Sequence, residues 1–482
     1  MNHRLVANIL GYILLVEAGF LLFPMLVAVG YGEASWVAFL KTAVLCAVLG
    51  LVVTRIPYNT KQMHARDGFA AVALSWLLLS AFGALPYVFS GAIPHYIDAL
   101  FETASGLTTT GSTILTEVEH LPKGILFWRA QTQWMGGMGV LVLFLALIPK
   151  MGEGAVFLMR AESPGPIKSK LVPKVGTTAK ILYGIYVGLT VAETVLLRLA
   201  GMDWYDAVTH TFCTISTGGY SVKNASIAAY GSDLISWIVI VFMFLSGVNF
   251  TLLFFALRGK MKEVLQSEEL RLYTALAVGG TALICLNLYV REGMSLGQSI
   301  TDSAFQVVSV MTTTGFATCN FDLWPTFSKT VLVLLMFTGA CAGSTAGGIK
   351  SSRLLLLGKN MQRELKTILH PRQVHVISVD GQKVEERVVS SAGVFFFVYL
   401  LILLVGTLIV SWDEVTFVDA FTGTLTCLSN VGPGLGMVGP IGNFSAFSDV
   451  SKVVLTLSML LGRLELMPIL VLLFPSIWKR KV

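Results

Sequence analysis

Four stretches of this chain decide its fold: DALFETASGLTTTGST (98–113), DAVTHTFCTISTGGYS (206–221), DSAFQVVSVMTTTGFA (302–317) and DAFTGTLTCLSNVGPG (419–434). Each opens on an aspartate and carries a glycine thirteen positions later, at Gly111, Gly219, Gly315 and Gly432. A Thr/Ser/Asn-rich tripeptide precedes each glycine. Fixed internal spacing repeated four times is the signature of a structural repeat, and four unrelated polar turns would not reproduce it.

The physics of one unit follows from its composition. An aspartate at a helix start accepts orphaned amide bonds and favours the positive end of the dipole. Asp98, Asp206, Asp302 and Asp419 are therefore expected as N-caps. About ten helical residues rise roughly 15 Å, half of the ~30 Å hydrocarbon core of a bilayer. The chain must then turn back, and irregular backbone survives at that depth only where protein covers it or it lines a wet cavity. The negative end of each short helix would face the membrane middle and favour a cation there.

The returning segments are Thr109-Thr110-Gly111, Thr217-Gly218-Gly219, Thr313-Thr314-Gly315 and Asn430-Val431-Gly432. Potassium filters replace the hydration shell of the ion with rings of backbone carbonyls. Turning successive carbonyls to one side takes dihedrals that glycine tolerates and other residues resist. Four such strands on one chain are enough to close a ring, so K+ is expected at these residues as the transported ion. The strands are not identical: Gly218 stands where the first and third have threonine, and the fourth has Val431. Selectivity is accordingly expected to be looser than in a symmetric filter.

Outside the repeats the chain is apolar. Of 482 residues 55% are hydrophobic and 13% charged, with a mean hydropathy of +0.75, which points to lipid as the solvent. A crossing helix needs about 20 apolar residues, and suitable runs lie near 5–30, 35–54, 69–91, 128–149, 178–201, 234–257, 272–290, 327–349, 391–411 and 449–476. The expected fold is all-α integral membrane, with ten transmembrane helices, four re-entrant pore helices, and four M1–pore–M2 repeats around one central pore. Two N-terminal helices (1–68) would precede repeats at 69–149, 178–257, 272–357 and 391–476. The first apolar run is too long for a signal peptide and reads as a retained helix.

Loops near 55–68, 150–180, 258–271 and 350–390, with the two termini, hold 25 of the 34 lysines and arginines. The positive-inside rule places them all in the cytoplasm. With no basic stripe interleaved with aromatics, the net charge of +6 does not suggest nucleic acid. The six cysteines are scattered without metal-ligand spacing, so neither a zinc site nor a disulfide framework is indicated. The loop 350–390 is either a docking surface or an ordinary solvated connector.

Span 327–349 ends in ACAGSTAGGIK, where Gly343, Ser344, Thr345, Ala346, Gly347 and Gly348 weaken a continuous helix. It reads as a flexible intramembrane gate beneath the pore, or as close small-residue helix packing. Ionisable residues inside spans are functional candidates. Arg463, in LGRLELMPIL, is either a cationic barrier and latch on that loop or a structural partner of Glu465. Asn249, in GVNFTLLF, reads as interhelical glue rather than an ion ligand.

With these residues in view, the chain resembles the Trk/Ktr/HKT superfamily of potassium transporters, and within it the TrkH type. The resemblance spans nearly the whole length. It rests on TTTGST, STGGYS, TTTGFA and SNVGPG, with QWMGGMGV (133–140), GVNFTLLF (247–254), CAGSTAGGIK (341–350) and GRLELMP (462–468). It implies a homodimer in the bacterial inner membrane with one pore per subunit. It also implies a TrkA-like cytosolic ring of nucleotide-binding (NAD, ATP or ADP) regulatory subunits. Residues 341–348 match the gating loop of the family, and Arg463 its arginine under the filter. Serine at the first filter glycine accompanies sodium permeation in related plant transporters, so Gly111 favours potassium.

Two other classes fit less well. An alternating-access symporter for a cation or another solute also uses broken helices, but usually with inverted or twofold repeats. An enzyme would need converging nucleophiles, metal ligands or acid–base pairs, and no HExxH or paired-carboxylate cluster is present. No organic cofactor is expected on this chain.

Overall fold

The computed structural model describes residues 1–57, 64–139, 175–472 and 474–475. Outside them lie residues 140–149 of the first expected M2 span, including Val140 of QWMGGMGV. Most of the loop 150–180, part of the loop 55–68, and residues 473 and 476–482 also lie outside them.

Among the described residues the chain is helical, with one two-stranded hairpin. Helices α1 (His3–Phe20) and α2 (Leu22–Gly30) form a rod interrupted just before Pro24, whose missing N–H cannot join a helical ladder. Helix α3 (Trp36–Thr54) runs back along α1. The first unit comprises α4 (Ala65–Gly83), α5 (Leu85–Ser90), the short α6 (Tyr96–Leu107) and α7 (Lys123–Gly137). The second comprises α8 (Val175–Leu199), the short α9 (Trp204–Ile215), α10 (Asp233–Ser246) and α11 (Phe250–Leu257). Helix α12 (Met261–Gln266) leads to the third: α13 (Glu268–Arg291), the short α14 (Leu296–Met311) and α15 (Thr326–Phe337). Helix α16 (Ser351–Leu369) and strands β1 (Ser378–Val379) and β2 (Gln382–Lys383) connect to the fourth. That unit comprises α17 (Glu386–Val410), the short α18 (Phe417–Ser429), α19 (Asp449–Arg463) and α20 (Met467–Leu472).

The units close into a cycle. Each short helix lies against the long first helix of its own unit and against the last long element of the preceding unit. Thus α9 packs on α7, α14 on α10, α18 on α15, and α6 on α19, which joins the fourth unit to the first. The short helices have 12, 12, 16 and 13 residues, and at 1.5 Å per residue they are about 18–24 Å long. None is long enough to cross a bilayer.

Among the described residues, six helical rods are long and apolar enough to cross a membrane, or seven if α10 and α11 count as one span bent by 104°. Their outer faces carry exposed leucines, such as Leu401, Leu404 and Leu408 on α17. In water such faces would invite aggregation; against lipid tails they are the natural surface.

The structure differs from the sequence expectation in five places. Helix α15 stops at Phe337 instead of running to 349, because the glycine-rich stretch bonds to itself. Gly339 N–H donates to Ile349 O at 2.7 Å and Ile349 N–H to Phe337 O at 3.3 Å. The expected span 234–257 is sharply bent, and Asn249 is a cap rather than interhelical glue: its Oδ1 accepts from Thr251 N–H at 2.8 Å, starting α11. The span 449–476 is interrupted after Arg463, where Glu465 and Leu466 both take positive φ. The connector 350–390 begins as the helix α16, not as loop.

The fifth correction concerns the aspartates, which are not N-caps. Asp98, Asp206 and Asp419 are third residues of α6, α9 and α18, and Asp302 is the seventh of α14. The capping positions belong to His95, Asp203, Thr416 and Ser295. A first-turn carboxylate still meets the helix dipole, but each aspartate also ties its helix to another segment. Asp206 accepts from Tyr230 Oη at 2.7 Å, Asp302 from Thr318 Oγ1 at 3.1 Å and Asp419 from Met437 N–H at 2.7 Å. Asp98 pairs with Lys452 at 2.6 Å, joining the first unit to the fourth.

Candidate functional site: a ring of four strands and the loop against it

The four tripeptides adopt one backbone conformation. Thr109, Thr217, Thr313 and Asn430 have φ of 54°, 57°, 58° and 58°, and the glycines two residues on have 83°, 78°, 82° and 104°. A non-glycine residue at positive φ is uncommon and costs about 1–2 kcal/mol. The same outlier at the same register in four units is strain of the kind that clusters at functional sites. The middle residue of each strand donates its N–H back to the short helix: Thr110 to Ser105 O (2.9 Å), Gly218 to Cys213 O (2.8 Å), Thr314 to Ser309 O (2.8 Å) and Val431 to Thr426 O (2.9 Å).

The glycines show how the strands meet. A β-carbon at Gly111 would run into the carbonyl oxygen of Gly218, one at Gly219 into that of Thr314, and one at Gly315 into that of Val431. One at Gly432 would come within 2.8 Å of the carbonyl oxygen of Thr110. Each glycine thus abuts the carbonyl of the next strand, and the sequence of contacts returns to its start. The sequence-singled residues of all four strands are brought together.

Side chains distinguish the quadrants. In strands one and three the threonine hydroxyls pair, Thr108 with Thr110 at 2.7 Å and Thr312 with Thr314 at 2.8 Å. Asn430 Nδ2 donates to Thr110 Oγ1 and to Met459 O, both at 2.9 Å, linking strands four and one. Thr109 Oγ1 and Asn430 Oδ1 are buried with no hydrogen-bond partner in the protein.

Residues 341–350 lie against one end of this ring. Gly347 N–H donates to Thr313 Oγ1 at 2.7 Å. Thr345 Oγ1 bonds to Ile215 O at 3.1 Å and Ser246 O at 3.2 Å. A β-carbon at Gly347 would stand 2.6 Å from Ser429 O. The loop therefore contacts strands or strand bases of units two, three and four. Arg463 Nη1 donates to Thr345 O, and its Nη2 to Gly136 O and Gly137 O, all at 2.6 Å. Its guanidinium thus joins the loop to the first unit, closing the fourth side. Lys350 Nζ donates to Ala346 O. Glu465 pairs with Arg353, so the alternative of an Arg463–Glu465 pair is not what forms. A cavity of about 110 Å³ is lined by Gly343, Ser344, Gly347, Gly348, Lys350 and Arg463 among others.

Glu269, which no sequence motif singles out, holds the loop at both ends. Its Oε1 accepts from Ala342 N–H at 2.6 Å and Ser352 N–H at 3.0 Å, with the side chain buried. Its position at the start of a long apolar helix gave the only hint: an acidic first turn looks like ordinary helix capping.

Comparison with known proteins agrees with this geometry. Residues 37–480 match the model of the TrkH family, described as a cation transport protein. The chain belongs to the TrkH family. It is 39% identical to the Trk system potassium uptake protein TrkH of Escherichia coli K12, over 99% of this chain and 100% of that protein. It is 35% identical to the Trk system potassium uptake protein TrkH of Halomonas elongata, over 100% of both chains. The crystal structure of the potassium transporter TrkH from Vibrio parahaemolyticus superposes with a TM-score of 0.89 at 36% identity, covering 99% of this chain and 100% of that one. This TrkH-family chain is a multi-pass membrane protein and not an enzyme.

A second feature missed in the sequence braces the TrkH-family ring from behind. Glu102, on α6, and Arg129, on α7, form a buried ion pair at 2.6 Å. Glu102 also accepts from Thr113 Oγ1 and Ile114 N–H at 3.0 Å, while Arg129 donates to Ser221 O at 3.0 Å and lies 3.5 Å over the Tyr220 ring. A carboxylate inside a short apolar pore segment was the available signal. Removing one partner of a buried pair leaves an uncompensated charge at a cost of about 3–5 kcal/mol, whereas apolar replacement of both is often near neutral. Glu102→Ala is thus expected to lower the thermal midpoint of the detergent-purified protein more than the double variant Glu102→Ala/Arg129→Met. Equal midpoints would remove the ion pair from the account.

Proposed function

We propose that this protein carries potassium into bacterial cells across the cytoplasmic membrane, through the four-strand ring acting as a selectivity filter. The single observation that carries the reading is the cyclic contact of the four glycines with the carbonyl of the next strand. Backbone carbonyls gathered in a ring are the chemistry that replaces the hydration shell of potassium. The C-terminal ends of α6, α9, α14 and α18 contribute negative dipole ends at the same depth. The buried, unpartnered oxygens of Thr109 and Asn430 suit a path whose polar partners are passing ions and water. The twelve residues of the tripeptides are the proposed potassium ligands and their scaffold, within repeats at 69–149, 178–257, 272–357 and 391–476.

The loop at 341–348 and Arg463 act as the gate in this reading. A cation placed against the inner end of a potassium path repels the permeating ion, and the loop obstructs the way at the same point. Both termini lie in the cytoplasm, and the protein works as a homodimer with one pore per subunit. A TrkA-like nucleotide-binding ring would dock on the cytosolic connector. That connector is an organised body and not a slack loop. Leu356, Ile377, Val389 and Ala392 form a small core of its own, and Glu386, bonded to Arg363 at 2.6 Å, holds that guanidinium above its ordinary pKa. Exposed Ile368, Leu369 and Val374 beside it supply apolar surface for a partner.

The direct test is growth rescue of a potassium-uptake-deficient bacterium at low potassium, with and without a TrkA-type partner. Rescue that needs an intact filter supports the proposal. Absence of rescue by folded, membrane-inserted protein in the presence of the partner counts against it.

A further inference from the structure

The second strand breaks the fourfold pattern, and the structure supplies a reason. Where strands one, three and four carry Thr110, Thr314 and Val431, strand two carries Gly218. A β-carbon at Gly218 would fall on the side-chain amide of Gln133, 2.5 Å from its Oε1. Gln133, on α7 of the first unit, fills the space that a threonine or valine side chain occupies in the other quadrants. It is fully buried, and both ends of its amide are used. Nε2 donates to Gly218 O at 2.6 Å, and Oε1 accepts from Tyr220 N–H at 3.1 Å.

The first of these bonds ends on the ring itself. Gly218 O is the carbonyl that abuts Gly111, the counterpart of Thr110 O, Thr314 O and Val431 O. Among the described residues, no hydrogen bond to those other three oxygens is found. One carbonyl in four therefore shares its lone pairs with a fixed amide donor. An oxygen so engaged is held in place and offers less to a cation than its three equivalents.

We infer that Gln133 is a specificity-determining positioning residue. It substitutes for the missing side chain of the second strand and makes one quadrant of the ring a weaker, more rigid ion ligand. Gly218 and Gln133 form one functional pair across two repeats. This rests on the filter reading above.

The pair makes a compensation test possible, with purified protein in liposomes and the ratio of potassium to sodium flux as the readout. Gly218→Thr alone should collide with Gln133 and lower potassium flux by about tenfold or more, the scale of a few lost contacts. Gln133→Ala alone should shift the flux ratio by about fivefold, the scale of one buried hydrogen bond. The double variant Gln133→Ala/Gly218→Thr should recover flux, since the introduced hydroxyl could then pair with Ser216 as Thr110 does with Thr108. Gln133→Met keeps the volume and loses both amide bonds, so it reports on the ratio if the alanine variant does not fold. A double variant no better than Gly218→Thr, or a flux ratio unmoved in every folded Gln133 variant, overturns the inference. Gly315→Ser, measured alongside, separates the two levels. If it leaves the ratio unchanged the filter reading itself fails; if it changes the ratio and the compensation is absent, only the role of Gln133 does.

Discussion

Serine in place of Gly315 is expected to lower the potassium-over-sodium ratio of flux into liposomes by about tenfold or more, equivalent to roughly 1.4 kcal/mol of discrimination. Two physical effects act together. At φ 82° a side chain strains the backbone. Its β-carbon would also run into the Val431 carbonyl of the next strand, and in a ring one displaced oxygen alters every ligand distance. The same contact exists at Gly111 and Gly219, so serine there should do comparable damage. Gly432 is the graded control, because its β-carbon would keep 2.8 Å from the Thr110 carbonyl. Gly432→Ser should therefore be the mildest of the four. Unchanged selectivity in Gly111→Ser and Gly315→Ser, with both proteins folded, would falsify the filter assignment.

The ring of four strands was legible in the sequence because each strand is local. Fourteen residues from aspartate to glycine carry the helix and the turn, and repetition of that spacing separates signal from chance. The details that needed three dimensions are those where one repeat completes another. Nothing near Gly218 announces that Gln133, in a different unit, occupies its missing side chain. Glu102 and Arg129 are 27 residues apart, and neither forms a motif alone. The helix starts were misjudged for a related reason. Aspartate is a good cap in isolation, but Asp98, Asp206, Asp302 and Asp419 are each bonded to a segment well outside their own first turn, and that tertiary bond fixes where they sit. The glycines marked where the apolar span is interrupted, but not how far the interruption extends. A run of apolar residues through 349 looks like a continuous span until one sees that Gly339 and Ile349 bond to each other rather than along a helix.

The asymmetry of the four units has a mechanical consequence. The loop at 341–350 grows out of the third unit, yet its bonds reach the second through Thr345 and its own through Gly347. Arg463 brings in the first from the fourth. A motion of the loop must break contacts with most of the ring at once, which favours two discrete arrangements over gradual yielding. Glu269 fixes both ends of the segment, so the part free to move is the stretch between them.

Deleting residues 343–348, or replacing Arg463 with alanine, is accordingly expected to raise potassium flux through the purified protein. Arg463 makes three bonds at 2.6 Å to carbonyls of Thr345, Gly136 and Gly137. Hydrogen bonds from a charged donor are worth about 1.5–3 kcal/mol each, and the three share one guanidinium, so they do not simply add. Losing even one that exists only in the closed arrangement shifts a two-state equilibrium by about tenfold or more. Removing the charge adds to this, since a fixed cation in a partly enclosed path repels potassium over several ångströms. Arg463→Lys tests which term dominates. Lysine keeps the charge but cannot reach two units with a planar fork, so flux should rise less than in Arg463→Ala if repulsion matters most, and equally if the latch does. The alternative reading, that the glycines serve helix packing, predicts that these changes lower the yield of folded protein and leave the flux per folded molecule unaltered. Flux normalised to monodisperse protein on gel filtration distinguishes them, and no increase in either the deletion or Arg463→Ala would sink the gate.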